Sequence, residues 1–409
     1  MMTSPLSNPP RKSGAANNPI YSLKPGLNAG QSKPWLIWAL LAFTFLITTP
    51  AKSGTNTIQW GVNIHDGGND PKGLADKLAE RNLKSVRMDL WGNDPRYLAK
   101  FRNAVTTLNA KGIAIQATCY VSFSHGQKRN QEVGADLKEV EQSAYQQTLT
   151  QINATKDLVR DYELQNETSL YPNIYATNAT GQKAGDFDTP EGRLQAASLR
   201  GMSRAVADAR KSSGLPLRII LGTVGRHWGF LTFMQQQGVL FDVVGYHAYP
   251  HLKHQPLDQN PWFGPGGALG QLSRFHKPVT INEFNAGEIY NGTTNGASKH
   301  PGPNYLNKTG DDVTEDGFKS INKHLKAIVN QNAVNVESIL FYEIWDEPRK
   351  APPENRFGLF YDFALQKPKL SLLIATAFAG GTLSPAEQNE LTARGMGLPA
   401  SRGIETQRN

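Results

Sequence analysis

Short apolar runs alternate with longer amphipathic segments from Ile58 onward. The runs are six to nine residues long and rich in β-branched and aromatic residues, which is typical of buried strands. We predict eight strands, at residues 58–64, 85–90, 113–121, 158–165, 217–223, 241–248, 278–284 and 337–345.

The segments between these runs have helical patterns. Three of them open with an N-cap residue followed by proline, at Asp70, Asp94 and Thr189. The cap side chain accepts a hydrogen bond from a free backbone N–H group, and proline suits the first helical position. We predict helices over residues 70–82, 94–112, 189–214, 313–331 and 369–378.

Eight β–α units over about 320 residues match the size and order of a (β/α)₈ TIM barrel. We therefore predict an α/β fold with a single catalytic domain over residues 55–380, followed by a flexible polar tail at 381–409. An open doubly wound sheet is the alternative. It would bring a phosphate-binding loop, and the glycine-rich stretch 264–270 does not follow a strand as such a loop requires.

The N-terminal region has a different character. Residues 1–34 are rich in Pro, Ser, Asn and Gly, which predicts a disordered basic segment. Trp35–Ile47 is apolar apart from Thr44, and its 13 residues suit a signal-peptide core better than a bilayer span. We expect residues 35–51 to be a signal peptide or an uncleaved inner-membrane anchor, with a core helix as the third alternative. The protein would then be periplasmic or extracellular.

Charge and composition exclude several classes of protein. The net charge is +8, but the first 65 residues hold five basic residues and no acidic one, which leaves +3 for the remainder. Basic residues are not clustered as a phosphate-binding groove requires, so nucleic acid is not an expected partner. The single cysteine, Cys119, excludes an intrachain disulfide and a cysteine-rich metal site.

Acidic, amide and aromatic residues collect at the predicted strand ends, where a barrel of this kind builds its active site. Carboxylates, amides and flat rings suit a neutral, hydroxyl-rich ligand such as a sugar. These strand-end residues are Asn63, His65, Arg87, Asp89, Trp91, His125, Asn166, Glu167, His227, Trp228, His247, Tyr249, Asn282, Glu283, Glu343, Trp345, Asp346 and Glu347.

Glu167 and Glu283 form the strongest pair, because each directly follows an asparagine and they end strands four and seven. Retaining glycoside hydrolysis needs two carboxyl groups on opposite sides of the anomeric carbon, about 5–5.5 Å apart. One must be protonated to serve as the acid, and the other must stay ionised to attack. Strands four and seven lie across a barrel from each other, so their ends can supply such a pair.

Other acidic residues and histidines compete for these roles. Glu163 shares a strand face with Glu167 but lies one layer deeper, where an ion pair with Arg87 or Arg160 is the simpler expectation. Glu343, Asp346 and Glu347 compete with Glu283 for the nucleophile role. A zinc site at His247, His251 and His254 is disfavoured, because Pro250 prevents a helix from presenting them on one face.

These motifs resemble those of the clan A retaining glycoside hydrolases over roughly residues 58–380. Within that clan the chain resembles a family-39-like enzyme similar to bacterial exopolysaccharide hydrolases. Thr168 stands where proline is frequent, and no tryptophan precedes Asn166. The resemblance implies that Glu167 is the acid/base and Glu283 the nucleophile. The substrate-binding residues that we expect are Asn166, Arg87, His247, Tyr249, Trp345, Asn63, His65, Trp91 and Glu343.

The predicted function is an exported, monomeric retaining glycoside hydrolase that cleaves a polysaccharide or oligosaccharide. Acid–base and nucleophilic chemistry of this kind needs no cofactor and no metal. The alternatives are a barrel that binds glycan without cutting it, in envelope polysaccharide export or assembly, and a transglycosylase. Trp91, Trp228 and Trp262 are each left open between a sugar-binding and a structural role.

Overall fold

A computed structural model describes residues 58–68, 70–121, 136–286, 315–350 and 354–396, with side chains from 317 onward in the fourth range. Within these ranges eight parallel strands form a closed barrel in sequence order, and β1 pairs with β8. The (β/α)₈ prediction is confirmed. The strands are β1 Gln59–Ile64, β2 Ser85–Trp91, β3 Ala114–Tyr120, β4 Asp161–Leu164, β5 Arg218–Val224, β6 Val243–Ala248, β7 Val279–Phe284 and β8 Val336–Phe341.

Each strand is followed by a helix that packs outside the barrel, and one more helix follows the eighth unit. The helices are α1 Pro71–Glu80, α2 Pro95–Asn109, α3 Leu137–Thr155, α4 Pro190–Ser213, α5 Trp228–Gln236, α6 Gly267–Ser273, α7 Glu315–Asn330, α8 Leu370–Ala379 and α9 Pro385–Ala393.

The three helices with predicted caps begin where the sequence indicates. Asp70 accepts from the backbone N–H of Gly73, Asp94 from that of Arg96 and Tyr97, and Thr189 from that of Gly192. Proline occupies the first turn of each of these helices. Each cap satisfies a backbone donor that the first helical turn leaves unpaired.

The barrel interior is polar. Residues that alternate along β2, such as Val86 and Met88, are apolar and fully buried, whereas Arg87 between them contacts Glu163 of β4. Asn282 of β7 donates to Glu163 across the barrel at 2.7 Å. A Cβ at Gly245 would lie 2.6 Å from the Asn282 amide nitrogen, so glycine on β6 makes room for this crossing. A hydrogen-bonded polar layer therefore lies beneath the C-terminal mouth.

Among the predicted strand ends, the one that differs most from the structure is that of β8. Strand β8 ends at Phe341 rather than at Trp345. Beyond Tyr342 the chain turns to other partners: Glu343 N–H donates to Phe357 O, and Ile344 N–H donates to Asn63 O. The predicted run continues to residue 345 because Ile344 and Trp345 are buried under the following loop. They are apolar for that reason, although they do not belong to the strand.

The start of the predicted polar tail is ordered. Helix α9 lies within it, and Leu391 and Met396 are fully buried. Glu387 forms an ion pair with Arg81, which directly follows α1, with 3.0 Å between Nη2 and Oε1. A short helix that buries only a few apolar side chains gives too weak a periodic pattern to be recognised in the sequence.

In the ranges that the structure describes, no helix combines the length and the apolar character needed to cross a bilayer. The predicted segments 1–34 and 35–51 lie outside those ranges, as do His125 and residues 397–409.

Candidate active site

A cavity of about 440 Å³ opens at the C-terminal mouth of the barrel. It contains predicted site residues from strands β1, β2, β4, β6 and β7, because parallel strands all end at this face. Its lining residues are Asn63, Ile64, His65, Arg87, Asp89, Tyr120, Asn166, Glu167, Tyr249, His251, Glu283, Tyr342, Glu354 and Phe357.

The carboxylates of Glu167 and Glu283 converge on one imidazole. Nδ1 of His247 lies 2.9 Å from Glu167 Oε1 and 3.1 Å from Glu283 Oε2. The three ligand atoms lie within 4.8 Å of one another. This spacing between the carboxylates agrees with a retaining pair rather than with the wider spacing of an inverting pair.

Glu283 is held as a carboxylate by three donors. Arg87 Nη1 donates to Oε1 at 2.8 Å, the Tyr249 hydroxyl donates to Oε2 at 2.6 Å, and His247 lies beside the same oxygen. Burial alone raises the pKa of Glu283, but His247, Arg87 and Tyr249 outweigh burial and lower it to about 2. Glu283 is therefore ionised throughout the physiological range.

Glu167 has a different environment. Its side chain is 33% exposed, against 6% for that of Glu283. Its backbone is left-handed, with φ 47° and ψ 36°, and it begins a short 3₁₀ turn at Thr168–Leu170. A non-glycine residue in this region carries strain, which is commonest where function fixes a side-chain direction. The turn directs Glu167 back over the mouth.

His247 is the shared cation of the pair. Burial lowers its pKa, but Glu283 and Glu167 outweigh burial and raise it to about 10. An imidazolium has one proton on Nδ1, and that proton can be donated to only one of the two carboxylates at a time.

Arg87 connects the pair to the layer below. Its Nη2 donates to Asn166 Oδ1 at 2.6 Å and its Nη1 to Asn63 Oδ1 at 2.9 Å. Burial lowers the pKa of Arg87, but the adjacent carboxylates Glu163 and Glu283 raise it well above its usual value. The guanidinium is therefore a fixed positive charge beneath the site.

Glu163 lies below Arg87 and is fully buried. Besides Arg87 and Asn282, it accepts from Thr118 Oγ1 at 2.9 Å and from Gln116 Nε2 at 3.1 Å. It is absent from the cavity lining, so it serves as the buried partner of Arg87 rather than as a rival of Glu167.

A second charged cluster lies on the β1–β8 side. His65 Nδ1 is 2.7 Å from Asp89 Oδ2, and its Nε2 is 3.6 Å from both Glu343 and Glu347. Lys350 Nζ is 2.5 Å from Glu347 Oε2 and 3.3 Å from Glu343 Oε1. His65 and Asp89 line the same cavity as Glu283, whereas Glu343 and Glu347 are not among its lining residues.

Burial and charge set unequal pKa values in that cluster. The carboxylates of Asp89 and Glu347 outweigh burial and raise the pKa of His65 to about 10. Burial raises the pKa of Glu343 to about 8. Burial also raises the pKa of Glu347, but His65 and Lys350 outweigh burial and lower it to about 2. Glu347 is thus an ionised partner of Lys350, whereas Glu343 is mostly protonated at neutral pH.

Two groups of described residues have metal-ligand spacing: His65, Glu343 and Glu347, and the Glu167–His247–Glu283 group itself. In the first group the Lys350 ammonium already supplies the cation. His247, His251 and His254 do not form such a group among the described residues; the rings of His251 and His254 pack edge to face at 5.0 Å.

The predicted tryptophans occupy different places. Trp345 is buried, packs against Phe363 with ring centroids 5.0 Å apart, and is absent from the cavity lining. Trp91 is 38% exposed at the rim and stacks on Tyr120, which does line the cavity.

Sequence reasoning missed Tyr342 and Phe357, which line the cavity beside Tyr249. The rings of Tyr249 and Phe357 stack with centroids 5.5 Å apart. Tyr342 directly follows β8, so the correct strand end would have included it. Phe357 comes from a loop far beyond the strand, and no local pattern indicates its position.

No protein-family model and no curated protein matches the sequence. The structure is similar to that of a beta-glucosidase from Thermotoga maritima in complex with cyclophellitol, with a TM-score of 0.55 and 13% identity, covering 82% of this chain and 100% of that one. It is also similar to the Ignisphaera aggregans GH53 catalytic domain, with a TM-score of 0.53 and 16% identity, covering 80% of this chain and 97% of that one. At these identities the similarity establishes the fold.

Proposed function

We propose that the protein is a retaining glycoside hydrolase that acts on a polysaccharide or oligosaccharide. The observation that carries this proposal is the meeting of Glu167 and Glu283 on His247 at the mouth of the cavity. The structural neighbours include glycosidases of the same fold, which supports the assignment.

Glu283 is the proposed nucleophile. It is buried, ionised, and fixed in direction by Arg87 and Tyr249. In the first step a carboxylate oxygen of Glu283 forms a bond to the anomeric carbon as the glycosidic C–O bond breaks. The product of this step is a covalent glycosyl-enzyme.

Glu167 is the proposed acid/base. Its side chain is one third exposed at the mouth beside His247, where it can reach the leaving oxygen and protonate it. In the second step Glu167 takes a proton from water, whose oxygen attacks the anomeric carbon and releases Glu283. Both steps are acid–base and nucleophilic chemistry of the chain's own groups.

Asn166 is placed to bind the reacting sugar. Its carbonyl oxygen accepts from Arg87, which orients the amide so that its NH₂ group remains as a donor in the cavity. We assign that donor to the hydroxyl beside the reacting carbon. His65, Asp89 and Tyr342 line the same cavity and are the proposed partners of the other hydroxyls.

Within this class we propose a family-39-like, exported enzyme. This finer assignment rests on the sequence motifs and on the apolar run Trp35–Ile47. We propose a periplasmic or extracellular location on the same grounds.

The test compares Glu167→Gln and Glu283→Gln with Glu337→Gln, which carries the same change at the opposite mouth of the barrel, where Glu337 pairs with Arg218. Each protein is incubated with a panel of β-linked polysaccharides, and reducing ends are measured. We expect both site variants to lose about a thousandfold or more of activity and the control to keep it. NMR of the first-formed anomer should show retention. Inversion, or near-full activity of either site variant, would contradict the assignment.

A further inference from the structure

Trp91 is an exposed ring held by a stacked partner. It ends β2, and its ring lies 3.9 Å from that of Tyr120 with 4° between the ring planes. The Tyr120 hydroxyl donates to Asp89, which anchors the pair to the cavity wall. The indole is nevertheless 38% exposed. An indole held exposed in a fixed orientation offers a flat apolar face to a ligand.

Trp262 repeats this arrangement on the other side. It lies in the loop between β6 and α6, so it belongs to the same face of the barrel. The Arg226 guanidinium lies over the ring at 4.3 Å from the centroid. Phe263 contacts the ring edge-on at 4.8 Å, and 54% of Trp262 remains exposed. A cation–π contact and an aromatic neighbour thus orient a ring that faces solvent.

The closed barrel places these rings on opposite sides of the proposed catalytic pair. Glu167 follows β4 and Glu283 lies on β7, so the line between them divides the ring of strands into two arcs. Trp262 belongs to the arc of β5 and β6, and Trp91 belongs to the arc from β8 through β1 to β3. The scissile bond lies between the two glutamates, so a chain crossing that bond runs from one arc to the other.

We infer that the enzyme is endo-acting: a glycan chain crosses the mouth, with Trp91 supporting it on one side of the scissile bond and Trp262 on the other. This inference rests on the proposed function. Most cavity-lining residues lie on the Trp91 arc, so the glycon binds on that side and the leaving group on the Trp262 side. Sugar rings present a flat apolar C–H face that matches an exposed indole. An exo-acting enzyme closes its cleft behind the released sugar, whereas exposed rings on both sides of the catalytic pair suit a chain that extends in both directions.

The experiment is native affinity electrophoresis of the full chain carrying Glu283→Gln, which separates binding from turnover. The gels contain barley mixed-linkage β-glucan, galactomannan, arabinoxylan or arabinogalactan. On this background we compare Trp91→Ala, Trp262→Ala and Leu240→Ala. Leu240 is the matched control, because it is 46% exposed and precedes β6, at the opposite face. Trp91→Phe and Trp262→Phe retain a ring at each position.

We expect at least one polymer to retard the parent, and each Trp→Ala change to weaken that binding by about tenfold. The Phe variants should recover part of the loss, and Leu240→Ala should bind like the parent. Weakening by only one of the two Trp→Ala changes, binding unchanged in both, or no retardation in any gel would overturn the inference.

Wild-type activity on the same polymers separates this inference from the proposed function. Hydrolysis with unaltered binding in both Trp→Ala variants rejects the two-sided cleft and leaves the hydrolase standing. Loss of binding in both variants, with no products from the wild type, supports the cleft and rejects the hydrolase.

Discussion

Two carboxylates of unequal exposure share one imidazole, and this inequality suits them to the two different roles proposed for them. Glu283 is buried among three donors, whereas Glu167 lies one third exposed on a left-handed turn. The sequence predicts both positions, because strand ends are recognisable from apolar runs. It cannot predict His247 as their common partner, since that contact depends on how far each strand extends beyond the barrel.

The Tyr249 hydroxyl is predicted to matter for catalysis and not for stability. Tyr249→Phe removes one of the donors to Glu283 Oε2, so we expect kcat/KM to fall by about a hundredfold. Tyr246→Phe is the control, since Tyr246 lies on β6, which Tyr249 directly follows, but donates to Gly225 O instead. Steady-state kinetics and the Tm of both variants test this; equal activities would remove Tyr249 from the site.

The Glu343 cluster is predicted to give a pH-dependent stability. The folded-state pKa of Glu343 is about 8, above an unfolded value of about 4.3. Its protonated form therefore stabilises the fold, and this stabilisation is lost as pH rises toward 8. We expect the free energy of unfolding of Glu343→Gln, relative to wild type, to rise by roughly 2–3 kcal/mol between pH 5.5 and 8.5.

Glu387→Gln is the control for that experiment, because Glu387 lies outside the cluster and pairs with Arg81. Burial raises the pKa of Glu387, but Arg81 outweighs burial and lowers it, so its stabilisation is present above the unfolded pKa and is lost only as pH falls below that value. Its stability difference from wild type should stay constant from pH 5.5 to 8.5. Parallel curves for the two variants would show that burial does not shift Glu343 as described.

At the scale of elements, local chemistry decides where helices begin, and tertiary contacts decide where β8 ends. Asp-Pro and Thr-Pro pairs act within one helical turn, so the starts of α1, α2 and α4 are predictable. The end of β8 depends on Phe357 and Asn63, which are distant in sequence. The same reason explains why Trp345, predicted to line the site, is buried instead.

The cap of α2 can be used to test whether local hydrogen bonding stabilises the start of a helix. Asp94→Ala removes the one oxygen that accepts from two backbone donors, so we expect a loss of about 1 kcal/mol in the free energy of unfolding. Asp94→Ser retains a side-chain oxygen and should recover most of it. Denaturant unfolding measures both variants; a full loss in Asp94→Ser would mean that packing, not capping, sets the effect.

At the scale of the whole molecule, α9 ties the end of the described chain to the barrel. Besides the Glu387–Arg81 pair at the end of α1, Arg394 lies over the Phe318 ring of α7 at 5.5 Å. Helix α9 therefore joins elements from the first and seventh units. The sequence predicts the barrel because its eight strands can be counted. It does not predict how α9 packs, because the contact between Arg81 and Glu387 joins residues about 300 positions apart.

Leu391 measures the contribution of α9 to stability. It is fully buried, and we expect Leu391→Ala to lower the free energy of unfolding by about 2–5 kcal/mol. Leu137→Ala is the control, because Leu137 begins α3 and is 39% exposed. Thermal and denaturant unfolding compare them; equal stabilities would show that α9 packs without stabilising the barrel.

The pairing of β1 with β8 has a consequence for biosynthesis. Trp60 and Ile339 are register partners, yet nearly the whole domain is translated between them. Until residues 336–341 have been made, β1 and β7 each present an unpaired edge, and such edges are prone to associate with other chains. A nascent chain that stops before Val336 holds seven of the eight strands but no closed ring. Folding of this barrel is therefore completed only after its last strand has been synthesised.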